Sequence, residues 1–213
     1  MKKYILLFLG IFIYTTTVFA ATCPNDKPRI IVSASQGKVK YITNMARKDF
    51  IAKYPGTPNT TLGLTVAKLG VKMSGKPRIV TNSRHTCVSL KEVAFQIGYD
   101  DILVYIHKNY KPGSCQYRVV KDHENYHVSV HRQAMSFFKS DIEKAIRKSV
   151  ASLKPQVVSS SAEAQRVVNS QFAKIQKDIQ PLIDHINKKI TEKNAAIDTP
   201  ESYKAANKLC KSW

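Results

Sequence analysis

The feature that most constrains the fold is a change in hydrophobic period at Ser114. From this residue to Val150, apolar and histidine side chains recur every three or four residues, which is the period of one face of an α-helix. Earlier in the chain, large apolar residues alternate with small or polar ones, which indicates half-buried β-strands, most clearly at Val93, Phe95, Ile97 and Tyr99. We therefore predict an α+β protein in which an antiparallel sheet precedes a hairpin of long helices.

Capping residues predict where the helices of the second half begin. Ser114 is a suitable N-cap for the first long helix, and Ser160–Glu163 has the pattern of a capping box for the second. A similar box at Ser140–Glu143 predicts a break within the first helix. Asp198–Glu201, which includes a proline where a missing N–H is harmless, begins a short last helix.

Two turns are predicted in the sheet half. Gln36-Gly37 separates two short apolar runs, which predicts a hairpin. Asp100-Asp101 separates the alternating run from Ile102–His107 and predicts a second turn. The strand over residues 102–107 then lies immediately before the first long helix.

The first twenty residues have the layout of a signal peptide. A lysine-containing start, an apolar run of about ten residues and small residues at Val18 and Ala20 predict cleavage after Ala20. We accordingly divide the chain into a signal peptide (1–20), a mainly β part (21–113) and a helical part (114–213). The predicted location is the periplasm or the extracellular space.

All four cysteines follow the predicted cleavage site, at Cys23, Cys87, Cys115 and Cys210. An even number of cysteines in an exported chain predicts two disulfides, and three pairings remain open. A cysteine-ligated zinc site is disfavoured because no two of these cysteines are close in sequence.

The chain is strongly basic. It has 34 lysine and arginine residues against 15 acidic ones, and removal of Lys2 and Lys3 with the signal peptide leaves a net charge of +17. Such an excess predicts weak attraction to a polyanion or to an anionic membrane surface. The lysines are spread along the chain without a nucleic-acid-binding motif, so specific nucleic-acid binding is not expected.

The first long helix contains the pattern His-Glu-x-x-His, at His123-Glu124-Asn125-Tyr126-His127. Residues i and i+4 lie on the same face of a helix, so both imidazoles can bind one ion beside that face. Two neutral nitrogen ligands, an open position for water and a carboxylate that accepts the proton of that water are the parts of a zinc hydrolase. The pattern predicts one zinc ion per chain, with His123 and His127 as ligands and Glu124 as the general base.

A strand that runs into a His-Glu-x-x-His helix resembles the layout of the zincin metallopeptidases, and here Val104–Tyr110 precedes the motif. The signal peptide, the early strands and Pro112-Gly113-Ser114-Cys115 also resemble the bacterial family of predicted secreted zinc-dependent proteases. The resemblance implies peptide-bond hydrolysis, with Glu124 as general base and acid and with the substrate main chain paired to the strand around Val104–His107. The metzincin family is excluded, because Val128-Ser129-Val130 stands where its motif has a glycine.

A third zinc ligand must come from later in the chain. His131 continues the i, i+4 series, but it stands about 12 Å along the helix axis from His123, too far to share the ion. A helical hairpin that turns near Val157 places residues 187–191 beside the motif, with a register uncertain by at least one turn. There are four candidates. Glu192 would correspond to the glutamate ligand of the gluzincins, and the spacing of Asp198 to Tyr203 resembles the aspartate-ligand zincins. The other two candidates are His185 and Asp184.

Tyr105 and His107 lie two residues apart, on one face of the strand before the first long helix. Either side chain could stabilise the oxyanion of a tetrahedral intermediate, and His131 could support the ligands from behind. We therefore predict a secreted zinc metallopeptidase that acts on a peptide or protein, including a peptidoglycan stem peptide. The alternative is a non-enzymatic cationic envelope protein that binds a polyanion or a partner, with a structural metal or none.

Overall fold

The sheet is organised around one long central strand, β4. The computed structural model describes residues 23–55, 61–83 and 85–213, so the predicted signal peptide lies outside the described residues. β4 (Thr86–Ile106) pairs in parallel with β1 (Arg29–Ile42) along one side. On its other side, β4 pairs antiparallel with β2 (Gly63–Ala67) and with β3 (Gly70–Thr81), which lie one after the other along its length.

The helical half also contributes a strand. β5 (Gln156–Val158) pairs antiparallel with the first residues of β4, opposite β3. The helices are α1 (Arg47–Lys53), α2 (Cys115–Ala151), α3 (Ser161–Ala195) and α4 (Pro200–Asn207). The predicted α+β fold is confirmed, but the sheet is mixed rather than wholly antiparallel, because β1 runs parallel to β4.

The predicted hairpin at Gln36-Gly37 is wrong. β1 continues on both sides of Gly37, and its pairing with β4 extends as far as Ile42 opposite Tyr105. Gly37 has a φ of +73°, and a Cβ on it would stand 2.8 Å from the Cβ of Tyr99. The glycine therefore accommodates a local distortion beside Tyr99 and does not reverse the chain.

The predicted turn at Asp100-Asp101 is also wrong, because β4 runs straight through both residues. The Lys72 ammonium on β3 contacts the Asp100 carboxylate at 3.0 Å, and that of Lys40 on β1 contacts Asp101 at 2.6 Å. Each aspartate is thus paired across the sheet to a neighbouring strand, which allows two acidic residues within an extended chain.

α2 begins where the sequence predicts and continues without the predicted break. The side chain of Ser114 accepts a hydrogen bond from the backbone N–H of Tyr117 at 3.1 Å, which confirms it as the N-cap. The predicted break at Ser140–Glu143 is wrong, since α2 continues for 37 residues. Ile142 and Ile146 are buried and extend the inward stripe through this region, so packing against the core keeps the helix continuous.

α2 and α3 form the predicted antiparallel hairpin. Ser149, near the end of α2, donates a hydrogen bond to Asp178 at 2.7 Å, and Phe138 contacts the ring of His185 further along. The connection contains β5, so the helices meet in a different register from a simple hairpin that turns near Val157. Asn194, rather than residues 187–191, consequently lies beside His127.

Two disulfides are formed, as predicted, and such bonds are typical of oxidising compartments. Cys23–Cys87 ties the start of the described chain to β4, and Cys115–Cys210 ties the first turn of α2 to the residues after α4. α4 begins after the N-cap Thr199 and buries none of its residues. Within the described residues, no helix is both long and apolar enough to cross a membrane.

Candidate metal and active site

Three side chains with metal-ligating atoms converge beside the first half of α2. His123 Nε2 and His127 Nε2 lie 3.3 Å apart, and the same oxygen of Asp198, Oδ1, lies 3.0 Å from the first and 3.2 Å from the second. Ligands about 2.0–2.1 Å from a tetrahedral zinc ion are separated from each other by about 3.3 Å. The triangle of donor atoms therefore has the dimensions of three zinc ligands.

Two different elements supply this triangle. His123 and His127 occupy successive turns of α2, and Asp198 lies in the short connection between α3 and α4. The phenolic hydroxyl of Tyr203, on α4, donates a hydrogen bond to Asp198 Oδ1 at 2.7 Å. Asp198 is the candidate third ligand that the structure brings to the histidines, and the N-cap of α4 is the next residue, Thr199.

The three other candidate third ligands lie elsewhere. Glu192 is exposed and forms an ion pair with Lys189 at 2.8 Å. Asp184 accepts a hydrogen bond from Gln180 on the same helix, and His185 contacts Phe138. The helix register brings the end of α3 to the motif, so Asp184 and His185 lie too far back along the helix, whereas Glu192 lies in the last turn but on the exposed face.

Glu124 is buried beside the histidines and is held by the edge of the sheet. It is 4% exposed, and its Oε2 accepts a hydrogen bond from the hydroxyl of Thr65, on β2, at 2.7 Å. A Cβ on Gly63, also on β2, would stand 2.6 Å from Glu124 Oε1 and 2.7 Å from Val120 Cγ1. β2 therefore makes room for the carboxylate with a glycine and fixes its orientation with a hydroxyl.

A chain of hydrogen bonds extends from His127 into the core. His127 Nδ1 lies 3.0 Å from Asn194 Oδ1, and Asn194 Nδ2 lies 3.4 Å from His131 Nε2. His131 Nδ1 in turn lies 3.0 Å from the hydroxyl of Tyr99. When His127 Nε2 binds a metal, Nδ1 carries the proton and donates to Asn194 Oδ1, which matches the orientation of that amide.

The electrostatics of the cluster favour a bound cation. Burial of Asp198 acts to raise its pKa, but hydrogen bonds from His123, His127 and Tyr203 outweigh it and hold the pKa well below the ordinary value. Burial of His127 acts to lower its pKa, but its contacts with Asp198, Asn194 and Glu124 raise it overall. The anionic partners around the imidazoles thus stabilise positive charge at this point.

The pKa of Glu124 is shifted in the opposite direction from that of Asp198. Burial raises it above the ordinary value, and the hydrogen bond from Thr65 and the two nearby histidines offset only part of the rise. His131 lies further inside, where burial and the neighbouring His127 lower its pKa to about 4, so it is neutral at pH 7. One carboxyl group of the site is therefore firmly ionised and the other is more readily protonated, which suits a ligand and a general base respectively.

A cleft of about 540 Å³ opens over these side chains, between β2 and α4. β2 pairs with β4 on one side, and its other side borders the cleft. The sequence-based assignment of Val104–His107 as the strand that holds a substrate main chain is wrong. Val104 lies opposite both Tyr41 of β1 and Thr65 of β2 and is fully buried, whereas β2, on the side that borders the cleft, pairs with no other strand of the described residues.

Neither residue predicted for oxyanion stabilisation lies at the cluster. Tyr105 is fully buried, and its hydroxyl contacts Lys53 and the hydroxyl of Tyr54. His107 lines a separate pocket with Arg47. Burial lowers the pKa of His107, and the nearby arginine lowers it further.

Three residues of the site, Gly63, Thr65 and Asn194, are not indicated by any pattern in the sequence. Gly63 and Thr65 lie in a stretch of the sequence where a glycine and a threonine carry no recognisable motif. Asn194 could have been found only with the correct helix register, since nothing in its local sequence distinguishes it.

Comparisons with known proteins do not assign the chain to a family. No family model matches it, and no curated protein or solved structure matches it either. The resemblance to the zincin metallopeptidases therefore depends on the residues of the chain itself.

Proposed function

We propose that this protein is an exported zinc metallopeptidase. The observation that carries the proposal is the triangle of His123 Nε2, His127 Nε2 and Asp198 Oδ1, with sides of 3.0–3.3 Å, beside the buried carboxylate of Glu124. Bound zinc would supply a water of lowered pKa and would polarise the carbonyl of a peptide bond.

Glu124 is the general base and acid in this proposal. Its raised pKa suits a group that takes a proton from water in the cleft and returns it to the leaving amine. Thr65 keeps the carboxylate directed along the cleft, and Asn194 holds the ring of His127 in one orientation. The open edge of β2 offers backbone N–H and C=O groups that can pair with an extended substrate chain.

Two measurements on the purified, oxidised protein test the proposal. We expect about one zinc ion per chain by elemental analysis, removal of peptide hydrolysis by a chelator and its recovery with zinc. Glu124→Gln should keep the zinc and lose hydrolysis by about 10²–10⁴-fold, because it removes the base without removing a ligand. Glu143→Gln is the matched control, since this residue lies on the same helix but pairs with Arg147 far from the cleft.

Each contrary result has a distinct meaning. A protein that binds no zinc contradicts the metallopeptidase proposal outright. A protein that binds zinc but hydrolyses no peptide, in either the wild type or the Glu124→Gln variant, has a structural metal and favours the non-enzymatic cationic envelope protein.

A further inference from the structure

The two ends of the cleft differ in chemistry. Beyond His127, towards the middle of α2, the lining is polar and includes His131 and Asn194. At the opposite end, towards the start of α2, the lining includes the apolar side chains of Leu62, Val119, Ala206 and Trp213. Val119 precedes His123 by one helical turn, so the apolar end begins directly beside the proposed zinc ligands.

Trp213 is the largest side chain at the apolar end, and several contacts hold it there. Its indole N–H donates a hydrogen bond to the carbonyl of Asn207 at 2.8 Å, and its ring meets that of Tyr110 edge to face, with centroids 6.1 Å apart. The side chain of Gln116 donates to the carbonyl of Ser212 at 2.7 Å. Trp213 as a whole remains 42% exposed, so it offers apolar surface that is already positioned for a ligand.

The charge around the cleft adds a second constraint. The chain has 34 lysine and arginine residues, yet none of the described residues that line this cleft is a lysine or an arginine. The acidic side chains of the lining are Glu124 and Asp198, both of which the metal site uses. The described lining of the apolar end is therefore uncharged, and two basic residues, Arg47 and Lys111, line a separate pocket on which Trp213 also borders.

We propose that the apolar end is a specificity subsite, which takes a bulky apolar side chain next to the scissile bond and has Trp213 as its wall. This inference rests on the proposed function, because it describes how the same cleft selects its peptide. A side chain of leucine size buries apolar area against the indole, and an alanine in its place leaves that area in water.

The binding test uses the fact that Trp213 is the only tryptophan in the chain. Blocked pentapeptides of alanine, with either leucine or alanine at the centre, are titrated into the Glu124→Gln variant with and without zinc. We expect the leucine peptide to shift the tryptophan emission to shorter wavelength in a saturable way, and to bind at least about tenfold more tightly than the alanine peptide. Equal binding of the two peptides overturns the subsite.

The kinetic test compares kcat/KM for the same two peptides. We expect Trp213→Ala to reduce the leucine-to-alanine ratio by about tenfold, and Trp213→Phe to keep most of it, because phenylalanine retains an apolar ring. Phe137→Ala is the matched control, since Phe137 is an exposed aromatic residue of α2 outside the cleft lining and should leave the ratio unchanged. Zinc content, measured for each variant, shows that the metal site is intact.

Failure of this inference differs from failure of the proposed function. Hydrolysis without a preference for leucine, or a preference that survives Trp213→Ala, overturns the subsite while the peptidase remains. A saturable shift of the tryptophan emission without hydrolysis supports the subsite and contradicts the peptidase.

Discussion

Gly63→Ala is the substitution that tests most directly how the sheet positions the general base. An added Cβ would lie 2.6 Å from Glu124 Oε1, 2.7 Å from Val120 Cγ1 and 2.9 Å from Glu124 Cγ, whereas ordinary contacts begin near 3.4 Å. The glutamate is the more flexible neighbour, so we expect it to move by about 0.8 Å and to lose its hydrogen bond with Thr65.

The expected loss of activity follows from that displacement. A misplacement of about 1 Å in a catalytic group costs roughly a hundredfold in rate, which corresponds to about 2.7 kcal/mol of transition-state stabilisation. The proposed ligands His123, His127 and Asp198 are not among the residues nearest to the added methyl group, so zinc content should stay at the wild-type level. The measurements are kcat/KM on a peptide, zinc by elemental analysis and the melting temperature.

Gly70→Ala is the matched control for this experiment. Gly70 begins β3, pairs with the same central strand and, like Gly63, does not have a positive φ. The nearest atom to a Cβ on it is the carbonyl oxygen of Gly98, at a tolerable 3.6 Å. If the Gly63→Ala and Gly70→Ala variants have kcat/KM values within about twofold of each other, the placement of Glu124 against β2 does not govern the reaction and our reasoning is refuted.

Three further predictions concern the support of the site. Asn194→Ala should weaken zinc binding by about 10–100-fold, measured by competition with a chromophoric chelator, because it removes the partner that orients a ligand histidine. The double variant Cys115→Ser, Cys210→Ser should lose zinc affinity by about tenfold or more, since it releases the segment that carries the proposed ligand Asp198. The double variant Cys23→Ser, Cys87→Ser should keep its zinc affinity. Lowering the pH should destabilise the protein through His131, whose pKa is about 4 in the folded chain and 6.5 ordinarily. As the pH falls below 6.5, the unfolded chain binds a proton at this residue before the folded chain does, so the free energy of unfolding decreases until the pH reaches about 4. Urea titrations should show a loss of about 1–2 kcal/mol between about pH 7 and pH 5 from this residue, and an equal loss in His131→Asn would contradict it.

The sequence predicted the elements of the helical half well because their signals are local. Ser114 and Ser160 cap the helices that were assigned to them, and the inward stripe that contains Glu124 and His127 is buried as its spacing indicates. The false break at Ser140 shows the limit of such signals, since a capping box within a helix does not interrupt it when the buried stripe continues.

The third ligand and the edge strand could not be identified with the same certainty, because both depend on contacts distant in sequence. Asp198 was one of four candidates, and a choice among them needed the register of α2 against α3, which the insertion of β5 changes. The sequence pattern places the substrate-binding strand directly before α2, yet Val104 lies in the centre of the sheet. β2 forms the edge at the cleft, and its residues lie some forty positions earlier in the chain than their partners in β4, Ile102–Ile106.

The shallow attachment of α4 has a consequence for the dynamics of metal exchange. A helix with no buried residue has little packing energy of its own, and such segments open locally at a far lower free energy than the whole fold. At one end of α4, Tyr203 donates a hydrogen bond to Asp198, which contacts His123. At the other end, the Cys115–Cys210 disulfide ties the residues after α4 to α2. If zinc binds as proposed, its release should require only the detachment of a tethered helix. Amide hydrogen exchange in α4 should then be slow with zinc and fast without it, while exchange in β4 stays unchanged.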